Sequence, residues 1–568
     1  METGILNNLQ IHDVLVGFKH DQRVGRPFSP TVMNDGAVIR WVWELREYWT
    51  NALVRSSRHK VPQFTVSTPG VYTLVMRAYS LTDMLIRRFE GAFVVDKPRV
   101  AENQCQYLID GSVTPATGFF KDFGGVAEGT SAEVVIGLKG TINGLVQILN
   151  TVGSAQPVRF QCFGQVTINA NNTHGLWLSD RCRNVIVDGY DQDDNAALTI
   201  NGSPVSSHQV VFITGNDFTD IQIKGVKVNH QLDKNCAGIS FIPNITAENN
   251  ATTTIAEDCM IYDCTGSNCG EEFVYAWYNN DGPFGDLIPP KSHRFICAYN
   301  AVTRCGRDAY QLGSVITGRV HNNLGDQYGM DGTQSQESAI SSNGGNADVI
   351  YFRNVFTNGK MLFNVQSGAT PWNVYAGETT PTGPITFLSN TYVSGTYPAG
   401  QVPEPYAIFT QNKGGTGPGN WYVQVLHNTV DIDKRFIAMY FFDDGFNSAN
   451  HRVVNNIVVW PDGNATPEVE VIGPAAGSNA CLINNLVRET SMRASIQFVN
   501  FPTDLSIASF TSPAYSGTTT NISSFIQARY QYDLGGYPLL APGHAYTFGA
   551  WSGYQKRRIL PIHWLDPA

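Results

Sequence analysis

Short runs of β-branched and apolar residues, each closed by Asn or Gly and followed by a second apolar pair, return along the middle and C-terminal parts of the chain. They read Val185-Ile186-Val187-Asp188-Gly189, Ile221-Gln222-Ile223-Lys224-Gly225, Ile296-Cys297-Ala298-Tyr299-Asn300 and Val320-His321-Asn322-Asn323. Further on come Tyr351 to Asn354, Thr386 to Asn390, Val425 to Asn428, Val453 to Asn456 and Leu482 to Asn485. From Asn300 the Asn-to-Asn steps are 23, 31, 36, 38, 28 and 29 residues. Self-similarity on this scale marks a solenoid, in which each unit buries its apolar face only against its neighbours. The units carry strand patterns and almost no helical periodicity. The expected architecture is a parallel β-helix, right-handed because crossover sterics favour that hand.

In such a coil equivalent strands of successive turns pair in parallel and inward side chains stack in apolar ladders. Corners between strands need left-handed backbone angles, which Asn and Gly adopt most cheaply. The repeated Asn300, Asn323, Asn354, Asn390, Asn428, Asn456 and Asn485 are therefore read as corner residues, with amides that repeat their hydrogen bonds from turn to turn.

The first 97 residues differ. Ala37 to Val42, Gly70 to Ala78 and Phe89 to Val95 read as alternating strands with turn signals between them, the pattern of a small antiparallel β-sandwich. Lys97-Pro98 marks the boundary. The expected organisation is a sandwich over residues 1–97, the β-helix over 98–500 and a capping segment over 501–568, which shields the open strand edges of the last coil.

Composition narrows the function classes. Charged residues make up 15% of the 568, Gly numbers 54 and aromatics reach 11%, which suits a turn-rich all-β protein. A net charge of −10 argues against nucleic acid as a partner, since phosphate binding needs a basic face. No run of 18 apolar residues provides a membrane span. The opening residues Met1 to Asn8 lack the basic and apolar regions of a secretory signal, so the expected extracellular or virion location is reached either after removal of a signal or by another route. The ten cysteines lack the paired knuckles of structural zinc and read mostly as buried free thiols.

Two stretches carry a resemblance. Pro69-Gly70-Val71-Tyr72-Thr73-Leu74 resembles a segment common in immunoglobulin-like PKD domains. Ala155 to Gly189, with its Pro157-Val158-Arg159-Phe160 strand, Val166-Thr167-Ile168-Asn169 turn and Asn184-Val185-Ile186-Val187-Asp188-Gly189 strand, resembles the first coils of right-handed parallel β-helix repeat proteins of bacteria and phages. Gly270-Glu271-Glu272-Phe273-Val274-Tyr275 and Asn300 to Ser314 resemble further segments of that family, with Glu272 and Ala309 standing where Gly is usual. The likeness spans residues 130–390 and more loosely reaches 500. The end of the chain, with Ser512-Pro513-Ala514 and Phe548-Gly549-Ala550-Trp551, resembles that of surface β-helix proteins. This family includes polysaccharide lyases, hydrolases and phage tailspikes, so the resemblance implies the fold more sharply than the chemistry.

The densest chemistry lies between residues 263 and 337. Aromatic rings stack on sugars, and paired carboxylates run acid/base hydrolysis. Glu272, Arg307 and Asp308 are the candidate catalytic residues, and Tyr275, Trp277, Tyr310, Gln311 and Asp331 the candidate glycan contacts. A structural reading stands beside this one: Asp308 satisfying corner amides, Arg307 pairing with a carboxylate on the next turn, and Glu271 and Glu272 divided between outside and inside. Three functions fit. One is a virion or extracellular surface component that binds a receptor glycan, homo-oligomeric or part of a larger assembly. Another is a secreted polysaccharide lyase or glycoside hydrolase. The third is a non-catalytic adhesin or filament subunit. No metal site and no cofactor are expected; calcium is conceivable on the fold, but no Asp-x-Asp-x-Asp loop supplies it.

Overall fold

A computed structural model describes residues 15–489, apart from 18–20, 34–37, 82–84, 113–117, 125–132, 152–156, 216, 244–254, 277–291, 331–336, 344–345, 368–383, 394–405, 413–422, 427, 432–436, 443–451, 455–456, 461–468, 473–480 and 484–485. The expected cap over 501–568 and the repeat residues Asn456 and Asn485 lie outside the described residues. The chain divides into two compact units, residues up to Arg99 and Val100–Arg493.

In the first unit, strands Arg40–Glu47, Gly70–Tyr79 and Leu85–Asp96 form the centre of an antiparallel sheet. Leu53–Ser57 closes one edge, and Asp21–Arg23 pairs parallel to Leu85–Asp96 at the other. Alternation in Arg40–Glu47 puts Trp41, Trp43 and Leu45 on one face. There they pack with Phe28, Phe64, Leu74, Met76 and Phe93. Besides this sheet the described residues of the unit contain only the two-stranded pair Leu15–Gly17 and Thr31–Met33 and a lone bridge between Phe28 and Phe64.

The second unit is a parallel β-helix. One coil runs Met260–Tyr262, Thr265–Cys269, Val274–Ala276, and the next runs Ser292–Ala298, Ala301–Cys305, Tyr310–Gly313. Each strand pairs in parallel with its successor: Met260 with Ile296, Thr265 with Ala301, Val274 with Tyr310. The third strand of each coil builds a twelve-stranded parallel sheet, from Phe119–Asp122 to Val469–Ile472. Inward positions form one continuous apolar core, from Ile109 through Phe160, Val187, Ile223, Ile261, Val320 and Phe387 to Val430. No helix among the described residues is long and apolar enough to cross a membrane.

Asn300, Asn323, Asn354 and Asn390 are not the residues that turn the corner. The left-handed angle falls on the residue before each: Tyr299 (φ 59°), Asn322 (φ 55°), Arg353 (φ 55°) and Ser389 (φ 54°). The asparagine that follows points inward, fully buried, and forms a ladder. Its Oδ1 accepts from the backbone N–H and the side-chain amide of the preceding coil's asparagine, and its own Nδ2 donates to a carbonyl of that coil. The ladder runs Asn428, Asn390, Asn354, Asn323, Asn300 and ends at Cys264, whose N–H meets Asn300 Oδ1 at 2.9 Å. There the Cys264 thiol replaces the amide as donor to the Ile223 carbonyl. A second ladder, half-buried, links Asn143, Asn169, Asn201 and Asn229 and closes on Ser267.

Candidate functional site

The twelve-stranded sheet has one face in the core and one turned outward. Strand triplets such as Leu176-Trp177-Leu178, Val211-Phe212-Ile213, Ile239-Ser240-Phe241 and Val274-Tyr275-Ala276 have core residues at both ends, so alternation sends the middle residue outward. Strand register puts these middle residues in one column: Phe120, Gln147, Trp177, Phe212, Ser240, Tyr275, Gln311, Ser341 and Asn364, and the same register runs on through positions 409, 440 and 470. Its first part is aromatic and accessible. Phe120 is 63% exposed, Trp177 and Phe212 are half-buried, and their rings lie 6.0 Å apart. His174 stacks on Phe212 at 4.5 Å and meets Trp177 at 5.2 Å and His208 at 4.9 Å. Burial pushes the His174 imidazole down to about 4, and its Nδ1 lies 2.9 Å from the Gln209 carbonyl, so at neutral pH it is an uncharged ring of the platform.

The later part of the column is polar and deep. Ser240, Gln311, Ser341 and Asn364 are buried although alternation turns them away from the core, so this floor of the column is closed off from solvent, with the half-buried Tyr275 among them. Ser240 Oγ and Asn364 Oδ1 have no hydrogen-bond partner among the described residues, and neither does the Trp177 Nε1 donor.

A row of ionisable groups flanks this floor, on the corner that leads into the sheet. Glu271, Arg307, Glu337 and Lys360 stand three residues before the register partners Val274, Tyr310, Ile340 and Phe363, so they occupy one position on four successive coils. Arg307 Nη1 lies 3.4 Å from Glu271 Oε1 and 3.3 Å from Glu272 Oε1, and Lys360 pairs with Glu337. One position further along, Asp308 Oδ1 accepts from the Ser338 backbone N–H and hydroxyl, both at 2.6 Å. Burial raises the Asp308 carboxyl to about 6, against the lowering effect of the Ser338 bonds. Glu272 is raised to about 8 despite its contact with Arg307. Desolvation dominates there, and Arg307 is shared with Glu271 and Asp308, so it cannot offset the loss of hydration of Glu272 alone.

The candidate residues thus divide. Glu272, Arg307 and Asp308 come together, but Glu272 and Asp308 are closed off from solvent rather than presented on an open face. Tyr310 does not face a ligand: its ring lies in the core and its hydroxyl bonds the Asn300 and Leu324 carbonyls, because strand alternation turns it inward. Gln311 takes the outward position but is buried at the floor, and Tyr275 is the half-buried aromatic beside it. Trp277 and Asp331 lie outside the described residues. Sequence reasoning missed Trp177, Phe212 and His174; aligning the strand triplets and reading only their middle letters gives the aromatic column. Among the described residues no group of three or more side chains is arranged to hold a metal ion.

No protein-family model matches the chain. No curated protein matches it either. Among solved structures, a family 28 exopolygalacturonase of Yersinia enterocolitica aligns at 8% identity over 84% of this chain and 98% of that chain, with a TM-score of 0.25. The catalytic domain of Agl-KA aligns at 10% identity over 84% of this chain and 86% of that one, with a TM-score of 0.30. At these values neither likeness bears on the chemistry, and the fold rests on the strand pairing itself.

Proposed function

We propose that this chain is a glycan-binding surface protein, deployed outside the cell or on a virion, that holds an extended saccharide along the outward face of its twelve-stranded sheet. The observation that supports this reading is the outward column of the sheet, aromatic and accessible at Phe120, Trp177 and Phe212 and reaching the half-buried Tyr275. At about 4.8 Å per rung the five steps from Phe120 to Tyr275 extend about 24 Å, the scale of a linear oligomer rather than a single sugar. Aromatic faces stack on sugar rings, and hydroxyl and amide groups pair with sugar hydroxyls. In this reading the unit up to Arg99 is an immunoglobulin-like attachment module, and several copies of the chain act together. Trp177→Ala should weaken binding to immobilised polysaccharide about tenfold or more while leaving the far-UV spectrum and melting temperature within error. Unchanged affinity in Trp177→Ala and in Phe212→Ala would remove the reading.

A hydrolytic reading has one observation in its favour, the two carboxyl groups of Glu272 and Asp308 held away from ordinary ionisation beside Arg307. In that reading Glu272, protonated near neutrality, is the acid and Asp308 its partner. Release of reducing ends from a bound glycan, abolished in Glu272→Gln with binding intact, would establish it. Absence of turnover on every glycan that binds leaves the adhesin.

A further inference from the structure

We infer that the glycan held on this face is a neutral polymer, built without carboxylate or sulfate groups. The inference rests on the glycan-binding reading above and concerns the ligand's charge. The twelve strands of the sheet, from Phe119–Asp122 to Val469–Ile472, contain no arginine and a single lysine. That lysine, Lys121, takes the alternate position to the outward Phe120, and its ammonium lies 5.4 Å from the Tyr107 ring and 5.8 Å from that of Phe123. The outward positions instead hold the half-buried Gln147 and Thr214, which donate to and accept from hydroxyls but neutralise nothing, and the buried, uncharged Ser179, Ser240, Gln311 and Ser341.

Among the described residues the flanking corner supplies no counter-charge either. Its two cations are already matched: Arg307 with Glu271, beside a Glu272 that holds its proton near neutrality, and Lys360 with Glu337. Asp308 adds another carboxyl to the same corner, and Asp122 adds one at the aromatic end, where bonds from the Gly124 N–H and the Asn150 amide hold it ionised. Among the described residues, carboxyl groups therefore outnumber cations on this sheet face and its flanking corner. A polyanion settling there would lose hydration without gaining a charge-assisted bond, and would meet like charge. A neutral chain of hydroxyl-bearing rings meets aromatic faces first and hydrogen-bonding groups after.

The test compares the full-length chain against neutral polymers (a glucan, a mannan and a galactan) and against polygalacturonate and a sulfated galactan, by affinity electrophoresis at low and high salt. The expected result is retention by at least one neutral polymer, with a Kd that changes less than about twofold with salt, and binding to both polyanions at least about tenfold weaker. Gln147→Lys, which sets a cation between Phe120 and Trp177, should improve polygalacturonate binding at low salt several-fold. Preferential, salt-weakened binding of either polyanion by the unaltered chain would overturn this inference and leave the glycan reading standing. Binding to none of the five polymers would overturn both.

Discussion

Asn354 Oδ1 accepts two hydrogen bonds from Asn323, one from its backbone N–H and one from its side-chain amide, each at 3.0 Å. The same Asn354 donates its Nδ2 to the Val320 carbonyl at 3.1 Å and to Asn390 Oδ1 at 2.9 Å. One buried side chain thus satisfies polar groups on the coils before and after its own. Asn354→Ala leaves the Asn323 N–H and the Val320 carbonyl unmet in a dry core and should cost about 2–4 kcal/mol. Denaturant unfolding followed by circular dichroism measures it, and a loss below about 1 kcal/mol would refute the ladder's energetic role.

Two adjacent residues separate the ladder from the corner. Ser389 holds the left-handed angle (φ 54°), while Asn390 makes the ladder bonds. Ser389→Gly relieves backbone strain and adds chain entropy in the unfolded state, so stability should stay within about 1 kcal/mol. Asn390→Gly removes the bonds and should cost about as much as Asn354→Ala, in the range of 2–4 kcal/mol. Equal losses in the two variants would contradict this division of labour.

Burial of Glu272 has a pH signature. Its carboxyl rises from an ordinary 4.5 to about 8, so the folded chain holds a proton that the unfolded chain has released. Stability from this group therefore falls as pH rises from 4.5 to about 8, and is flat below that window. Asp308, raised from 3.8 to about 6, adds a decline in the same direction at lower pH. Glu272→Gln should flatten the upper part of a melting-temperature profile. A profile as steep as the parent's between pH 6 and 8, by scanning calorimetry, would show that the group ionises freely.

Much of this molecule was legible in its sequence because a solenoid repeats its physics. The refrain gave the parallel coils, and the buried thiols followed from their place in strand runs. The asparagines misled in one respect: their type suits a left-handed corner, yet Tyr299 and Arg353 take that angle while Asn300 and Asn354 turn inward. A single sequence does not separate two neighbouring positions of one bend. Tyr310 misled for a related reason. Its neighbours Asp308 and Gln311 are polar, and only the pairing of Tyr310 with Val274 and Ile340 reveals that it shares their inward side.

The thiols provide a further check. Nine cysteines carry no disulfide among the described residues; eight of them are buried and Cys105 is partly accessible. Desolvation pushes Cys182, Cys236 and Cys264 up to about 12, where almost no thiolate exists at neutral pH. Peptide mapping after mild alkylation of the native chain should find label on Cys105 and none on these three. Rapid labelling of Cys264 without unfolding would contradict its place at the end of the ladder.

The ladder's polarity sets how such a chain can change in length. Each asparagine looks to its successor for an acceptor, so Asn300 is complete only with Asn323, and Asn323 only with Asn354. Residues added or lost inside a laddered strand leave a donor facing nothing, whereas the segments between strands absorb length, as the steps of 23, 31, 36 and 38 residues show. A binding face built on these rungs therefore gains or loses reach only by whole coils, and the reach of the molecule along its ligand is a counted quantity.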